Sequence, residues 1–165
     1  MNGSKVKFYQ ALKHCETRGP VFKRAEIICH SRQHFAAAFT AIRESSLQFE
    51  PIVRTAPDAA AYAGALYLRS AAELAQQSPE EIDQVVLDCG DNPSLVLGAL
   101  RVGWLKFAFS GLPTVQAKLS QIIVKSGGAV VQINQGPVID LNLTSHPINC
   151  CQTWLKRVYH DCYGD

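Results

Sequence analysis

The chain contains no apolar run close to the roughly 20 residues that cross a bilayer. Its start lacks the apolar stretch of about 7–15 residues that marks a secretory signal. Both absences lead to the expectation of a cytoplasmic protein with no membrane partner. G-x-S-x-G, G-x-G-x-x-G and G-x-x-x-x-G-K-[ST] are missing too, so nucleophile-elbow hydrolases, dinucleotide enzymes and P-loop proteins lose their signatures. There is no repeat of solenoid kind and no low-complexity tract. Charge is scarce, at 18% against 47% apolar residues in 165, which suits one buried core and argues against disorder.

The scarce charge is unevenly placed. Residues 1–24 carry Lys5, Lys7, Lys13, Arg18, Lys23 and Arg24 against Glu16 alone, a net +5 within a chain total of +2. Phe8, Leu12 and Cys15 fall on one helical face there, so the segment reads as a basic helical arm ahead of a single domain over residues 25–165. A solvated helix accounts for such a charge run, and the exposed aromatics of an RNA-binding sheet are lacking, so no nucleic-acid partner is expected.

The six cysteines, Cys15, Cys29, Cys89, Cys150, Cys151 and Cys162, include no C-x-x-C pair. Two collections resemble metal ligands: Cys29 and His30 with Cys89, and Cys150 and Cys151 with His160 and Cys162. Neither has zinc spacing, and no metal is expected. Cys29 and Cys89 sit in apolar strand runs, which fits reduced, buried thiols.

What is present is a β-α rhythm. AEIICHS reads as a strand, with Ser31 capping a helix that carries Phe35, Phe39 and Ile42. PIVRT then leads to Asp58, read as the N-cap of one alanine-rich helix running through Gly64 to Gln77, which Ser78-Pro79 closes. DQVVLDCG and the Trp104 segment follow as strands, with helices opened by Asn92-Pro93 and by Pro113. AVVQI is a fifth strand, and VIDLNL has the alternation of a half-exposed edge. An amphipathic helix over residues 149–162 closes the chain with Cys151, Trp154, Leu155 and Val158 on one face. The expected fold is α/β: an open five-stranded, mainly parallel sheet with helices on both faces. This three-layer α/β/α arrangement would be flavodoxin-like or Rossmann-like, with strand order 2-1-3-4-5.

The segments RTAPDAAAYAGALYL, VVLDCGDNPSLVLGALRVG and KFAFSG resemble a family of small uncharacterised bacterial α/β proteins with no established activity. The similar stretch covers residues 25–143, and Asn92-Pro93-Ser94 departs from the small residues the resemblance implies after the turn aspartate. It implies a fold and transfers no catalytic residue.

A parallel sheet gathers its strand-to-helix turns at one rim, where open α/β folds bind ligands. Residues Ser31, Asp58, Gly90, Asp91, Asn92, Ser110 and Gly111 are the binding candidates there. The helix N-termini near Asp58–Ala60 and Asn92–Leu95 favour a phosphorylated or carboxylated metabolite, while the aspartates oppose one. An enzymatic alternative, as a lyase, isomerase or hydrolase, makes Asp88 a base or metal ligand with Cys89 or His30 as its partner. In a third reading, a homodimer or scaffold forms through the alanine-rich helix or the Trp154 helix. Sequence names no cofactor, and turn geometry alone accounts for the same aspartates and glycines.

Overall fold

Residues 24–45 and 51–163 are described by the computed structural model of the chain. The expectations placed on Cys15, His14 and the rest of residues 1–23, and on the Cys162 side chain, lie outside them.

The first strand, β1 (Glu26–Cys29), is buried over its whole length, as a strand with neighbours on both edges requires. Ser31 caps α1 (Arg32–Glu44), accepting the His34 amide at 3.3 Å, and the helix buries Phe35, Ala38 and Phe39. After β2 (Ile52–Thr55) come α2 (Ala59–Tyr62) and α3 (Ala65–Glu73). These replace the single alanine-rich helix expected from composition. Gly64 adopts φ +84 between them, and a Cβ there would meet nothing within 4 Å, so backbone conformation rather than close packing accounts for this glycine.

Ser78-Pro79 starts a helix instead of ending one. In α4 (Pro79–Gln84) the Ser78 side chain and Glu81 form a reciprocal capping box, and the helix delivers the chain to β3 (Val86–Asp88). Asn92 caps α5 (Pro93–Arg101) by accepting the Ser94 amide at 2.9 Å. The remaining elements are β4 (Lys106–Ala108), α6 (Pro113–Lys125), β5 (Ala129–Val130), β6 (Val138–Asp140), a 3-10 turn over Leu141–Leu143, and α7 (Pro147–Tyr163).

All strand pairs are parallel, and the fold is α/β with one six-stranded sheet of order β5-β4-β3-β2-β1-β6. The sixth strand lies within the VIDLNL segment. The observed order replaces 2-1-3-4-5: β2 lies between β1 and β3, and β6 occupies the other edge of β1. Right-handed crossovers permit a steady march as readily as a reversal, and local pattern does not choose between them. The described helices pack as a row, α7 on α1, α1 on α3, α3 on α5 and α5 on α6. The apolar face of α7 is spent inside the chain, with Cys151, Trp154, Leu155 and Val158 all buried. No helix among the described residues is long and apolar enough to cross a membrane.

Register and the two-residue alternation of strands divide the sheet residues between two faces. Ile27, Cys29, Leu87 and Phe107 share the face on which Cys29 lies within electrostatic reach of Cys151 of α7. Glu26, Arg54 and Asp88 share the other. Across that second face runs the return segment from β5 to β6, whose Asn134 and Gln135 bond to Arg54 and Glu26.

Candidate functional site

Because every strand is parallel, the ends of β2, β3 and β4 open at one border, and there the return segment walls off a cleft of about 350 Å³. Pro57, Asp58, Asp88, Gly90, Phe109 and Ser110 line one side, and Val131–Asn134 the other. Among its lining residues only Asp58 and Asp88 carry charge.

Asp88 is the fixed centre of this border. One carboxylate oxygen, Oδ1, accepts the backbone amides of Gly90 at 2.9 Å and Asp58 at 3.1 Å, tying the β3 turn to the β2 turn. Its own amide donates to Thr55 Oγ1 at 2.9 Å. The second oxygen, Oδ2, lies 3.8 Å from Arg54 Nη1. The residue is 6% exposed, so its charge is held largely away from water.

Behind Asp88 stands a buried ion pair. Arg54 Nε donates to Glu26 Oε2 at 2.7 Å, with side chains 2% and 0% exposed. Arg54 Nη2 donates to Asn134 Oδ1 at 3.1 Å, Nη1 donates to the Thr55 carbonyl at 3.3 Å, and Glu26 Oε1 accepts the Gln135 amide at 3.2 Å. Every nitrogen of the guanidinium is thereby engaged. Arg54, Glu26 and Asn134 were not singled out in the sequence. A signal for the pair existed, because the strands AEIIC and PIVRT each carry one charge, of opposite sign, amid residues that must be buried.

Asp58 does not cap a helix. It sits at φ 54 in the left-handed region, its amide is taken by Asp88, and its side chain makes no capping bond. A Cβ on Gly90, itself at φ +55, would run into the Asp58 carboxylate, so glycine lets these turns meet. Gly111 is constrained likewise by the Phe109 ring and the Asp91 carbonyl, and the Ser110 amide closes the β3–β4 contact on the Gly90 carbonyl at 2.8 Å.

Of the residues expected to bind ligand, Asp58, Gly90 and Ser110 line the cleft; Ser31, Asp91, Asn92 and Gly111 do not. Ser31 belongs to the β1 turn and spends its hydroxyl on the α1 cap, and Asn92 spends its Oδ1 on the α5 cap. Most of the amides expected to hold an anion are also engaged, that of Ala60 excepted. Asp58 donates to Asp88, Ala59 to the Ala56 carbonyl, Asn92 to that of Cys89, and Leu95 to that of Asn92.

The enzymatic candidates are dispersed along the border. His30 Nε2 pairs with Asp140 Oδ1 at 2.8 Å, at the joint of β1 and β6, and its ring stands edge-on to His34 with centroids 5.8 Å apart. β2 separates it from β3. Cys89 is 1% exposed, and burial, with a smaller contribution from Asp88, pushes its thiol up to about 12. It stays protonated at neutral pH, and a protonated thiol is a poor nucleophile. Burial also pushes Cys29 well up and Cys151 to about 12. Among the described residues no group of three or more His, Cys, Asp or Glu side chains is placed to hold a metal ion.

Tyr62 is 66% exposed on α2, and Leu66, Tyr67 and Leu74 of the following segment are exposed to a similar degree. Burial, then the charges of Asp140, Asp88 and Asp58, raise the Tyr62 phenol above its ordinary value.

The chain matches no protein-family model, no curated protein and no solved structure, so its functional reading rests on this border alone.

Proposed function

We propose that the chain binds a small polar molecule without net negative charge in the cleft at the carboxyl border of the sheet. The observation that carries this reading is the charge of the cleft: among the described residues its only ionisable lining groups are the carboxylates of Asp58 and Asp88. Arg54 lies beside Asp88, and each of its guanidinium nitrogens already donates within the protein, to Glu26, Thr55 and Asn134. Phosphate or carboxylate entering here would meet like charge with few uncommitted amides to offset it. An amine or other donor-rich group would meet acceptors. About 350 Å³ lies at the small end of ligand pockets, and Phe109, Ile133 and Pro57 supply the apolar wall such pockets use.

A thermal-shift screen tests this proposal, because a ligand of the native state raises its melting temperature. Amines, polyols, nucleobases, divalent cations, phosphates and carboxylates are compared on the wild type and on Asp88→Asn, which keeps the Oδ1 acceptor for the turn amides. Stabilisation by donor-rich compounds that weakens in Asp88→Asn supports the reading. Stabilisation by phosphates or carboxylates alone overturns it.

A further inference from the structure

Arg54 hydrogen-bonds one group of the cleft, Asn134, and pairs electrostatically with another, Asp88. A guanidinium only donates, so the Asn134 atom at 3.1 Å must be the carboxamide oxygen. The Asn134 amino group, Nδ2, is thereby left as the free end of the side chain, and Asn134 lines the cleft. Asp88 Oδ2 lies 3.8 Å from the adjacent guanidinium nitrogen, beyond hydrogen-bond distance, and its sister oxygen is committed to the turn amides. A donor and an acceptor of the cleft lining thus flank one buried cation. Asn134 itself sits at φ 59, a left-handed conformation that asparagine tolerates better than most residues.

A buried ion pair is seldom the cheapest way to stabilise a sheet, because desolvating two charges offsets most of their attraction. Here both members reach the cleft wall, Glu26 through the Gln135 amide and Arg54 through Asn134. Holding that wall gives the pair a role that stability alone does not.

We infer that this cleft recognises a planar edge bearing a hydrogen-bond donor beside an acceptor, as in an amino-substituted nitrogen heterocycle, with Arg54 as the positioning residue. The amino group of such a ligand donates to Asp88 Oδ2, and its ring nitrogen accepts from Asn134 Nδ2. The ring plane lies against the apolar lining from Phe109 and Ile133. The inference rests on the proposed ligand site and adds to it the class of ligand.

The experiment uses adenine and cytosine as probes, each with an amino group next to an unprotonated ring nitrogen. Butylamine serves as a probe with charge and donors but no acceptor, and inorganic phosphate as an anion. Binding to the full chain is followed by ligand-observed NMR, for the wild type and for Asn134→Asp, which retains a partner for Arg54 and tolerates the same backbone but loses the donor. The expected result is binding of adenine or cytosine that weakens about tenfold or more in Asn134→Asp, with butylamine unaffected or improved. Circular dichroism shows whether the variant is folded. Bases that bind both proteins equally, or butylamine that binds while neither base does, overturn the paired-edge inference and leave the ligand site standing. Phosphate binding alone, or no binding by any probe, overturns both.

Discussion

Glu26 and Arg54 meet at 2.7 Å on neighbouring parallel strands, from which water is almost wholly excluded. Removing one partner strands the other's charge in the sheet. Glu26→Leu alone is expected to cost about 3–5 kcal/mol, and the double variant Glu26→Leu/Arg54→Met to recover most of that loss. Urea denaturation measures both. In the double variant the Gln135 amide, freed from Glu26, exchanges with solvent faster even where global stability is restored. Equal stability of the single and double variants would remove the pair from any account of this face.

Two glycines in one β-α unit should respond in opposite directions. Gly90 has φ +55 and faces the Asp58 carboxylate, so Gly90→Ala is destabilising by about 1–2 kcal/mol. Gly98 lies inside α5, where an added Cβ meets nothing within 4 Å, and Gly98→Ala is expected to stabilise by about 0.5–1 kcal/mol. Thermal melts of the two variants give the signs directly.

Buried thiols make the fold sensitive to alkali. Cys89 and Cys151 are raised from the ordinary 9.0 to about 12, and Cys29 is raised well above it. The unfolded chain releases these protons first, so their contribution is complete below pH 9.0 and fades as pH rises towards the folded values. Urea midpoints should fall above pH 9.0, with a shallower fall in Cys89→Ala. Below that pH, mass-mapped alkylation is expected to reach half-buried Cys150 before Cys29, Cys89 or Cys151.

Ser31 separates capping from ligand recognition. Ser31→Ala removes the acceptor for the His34 amide and should cost about 1 kcal/mol. Binding of any cleft ligand should be unchanged, because the residue lies outside the lining. A loss of affinity in a folded Ser31→Ala protein would shift the site towards β1.

Ser31, Asn92 and Pro93 are local signals, since a cap needs only its own next turn, and all three stand where the sequence puts them. Ser78-Pro79-Glu80-Glu81 was equally local. Its S-x-x-E spacing specifies a helix start, although the preceding alanine-rich run suggested a helix end. Asp58 misled because Asp88, 30 residues away, accepts its own backbone amide while the residue sits in the left-handed region. Asn134 gave no signal beyond a turn-like neighbourhood, as its role depends on a guanidinium 80 residues distant.

The amino-acid order by itself determined the parallel α/β rhythm, the caps and the collection of strand-end turns at one border. Apolar period, capping residues and proline placement act within a few residues, and strands joined through helices run parallel. Tertiary structure alone decided the strand order, the burial of Glu26 against Arg54 and the use of the β5–β6 return as a cleft wall. Those contacts close long loops, and their partners are selected only when the whole sheet assembles.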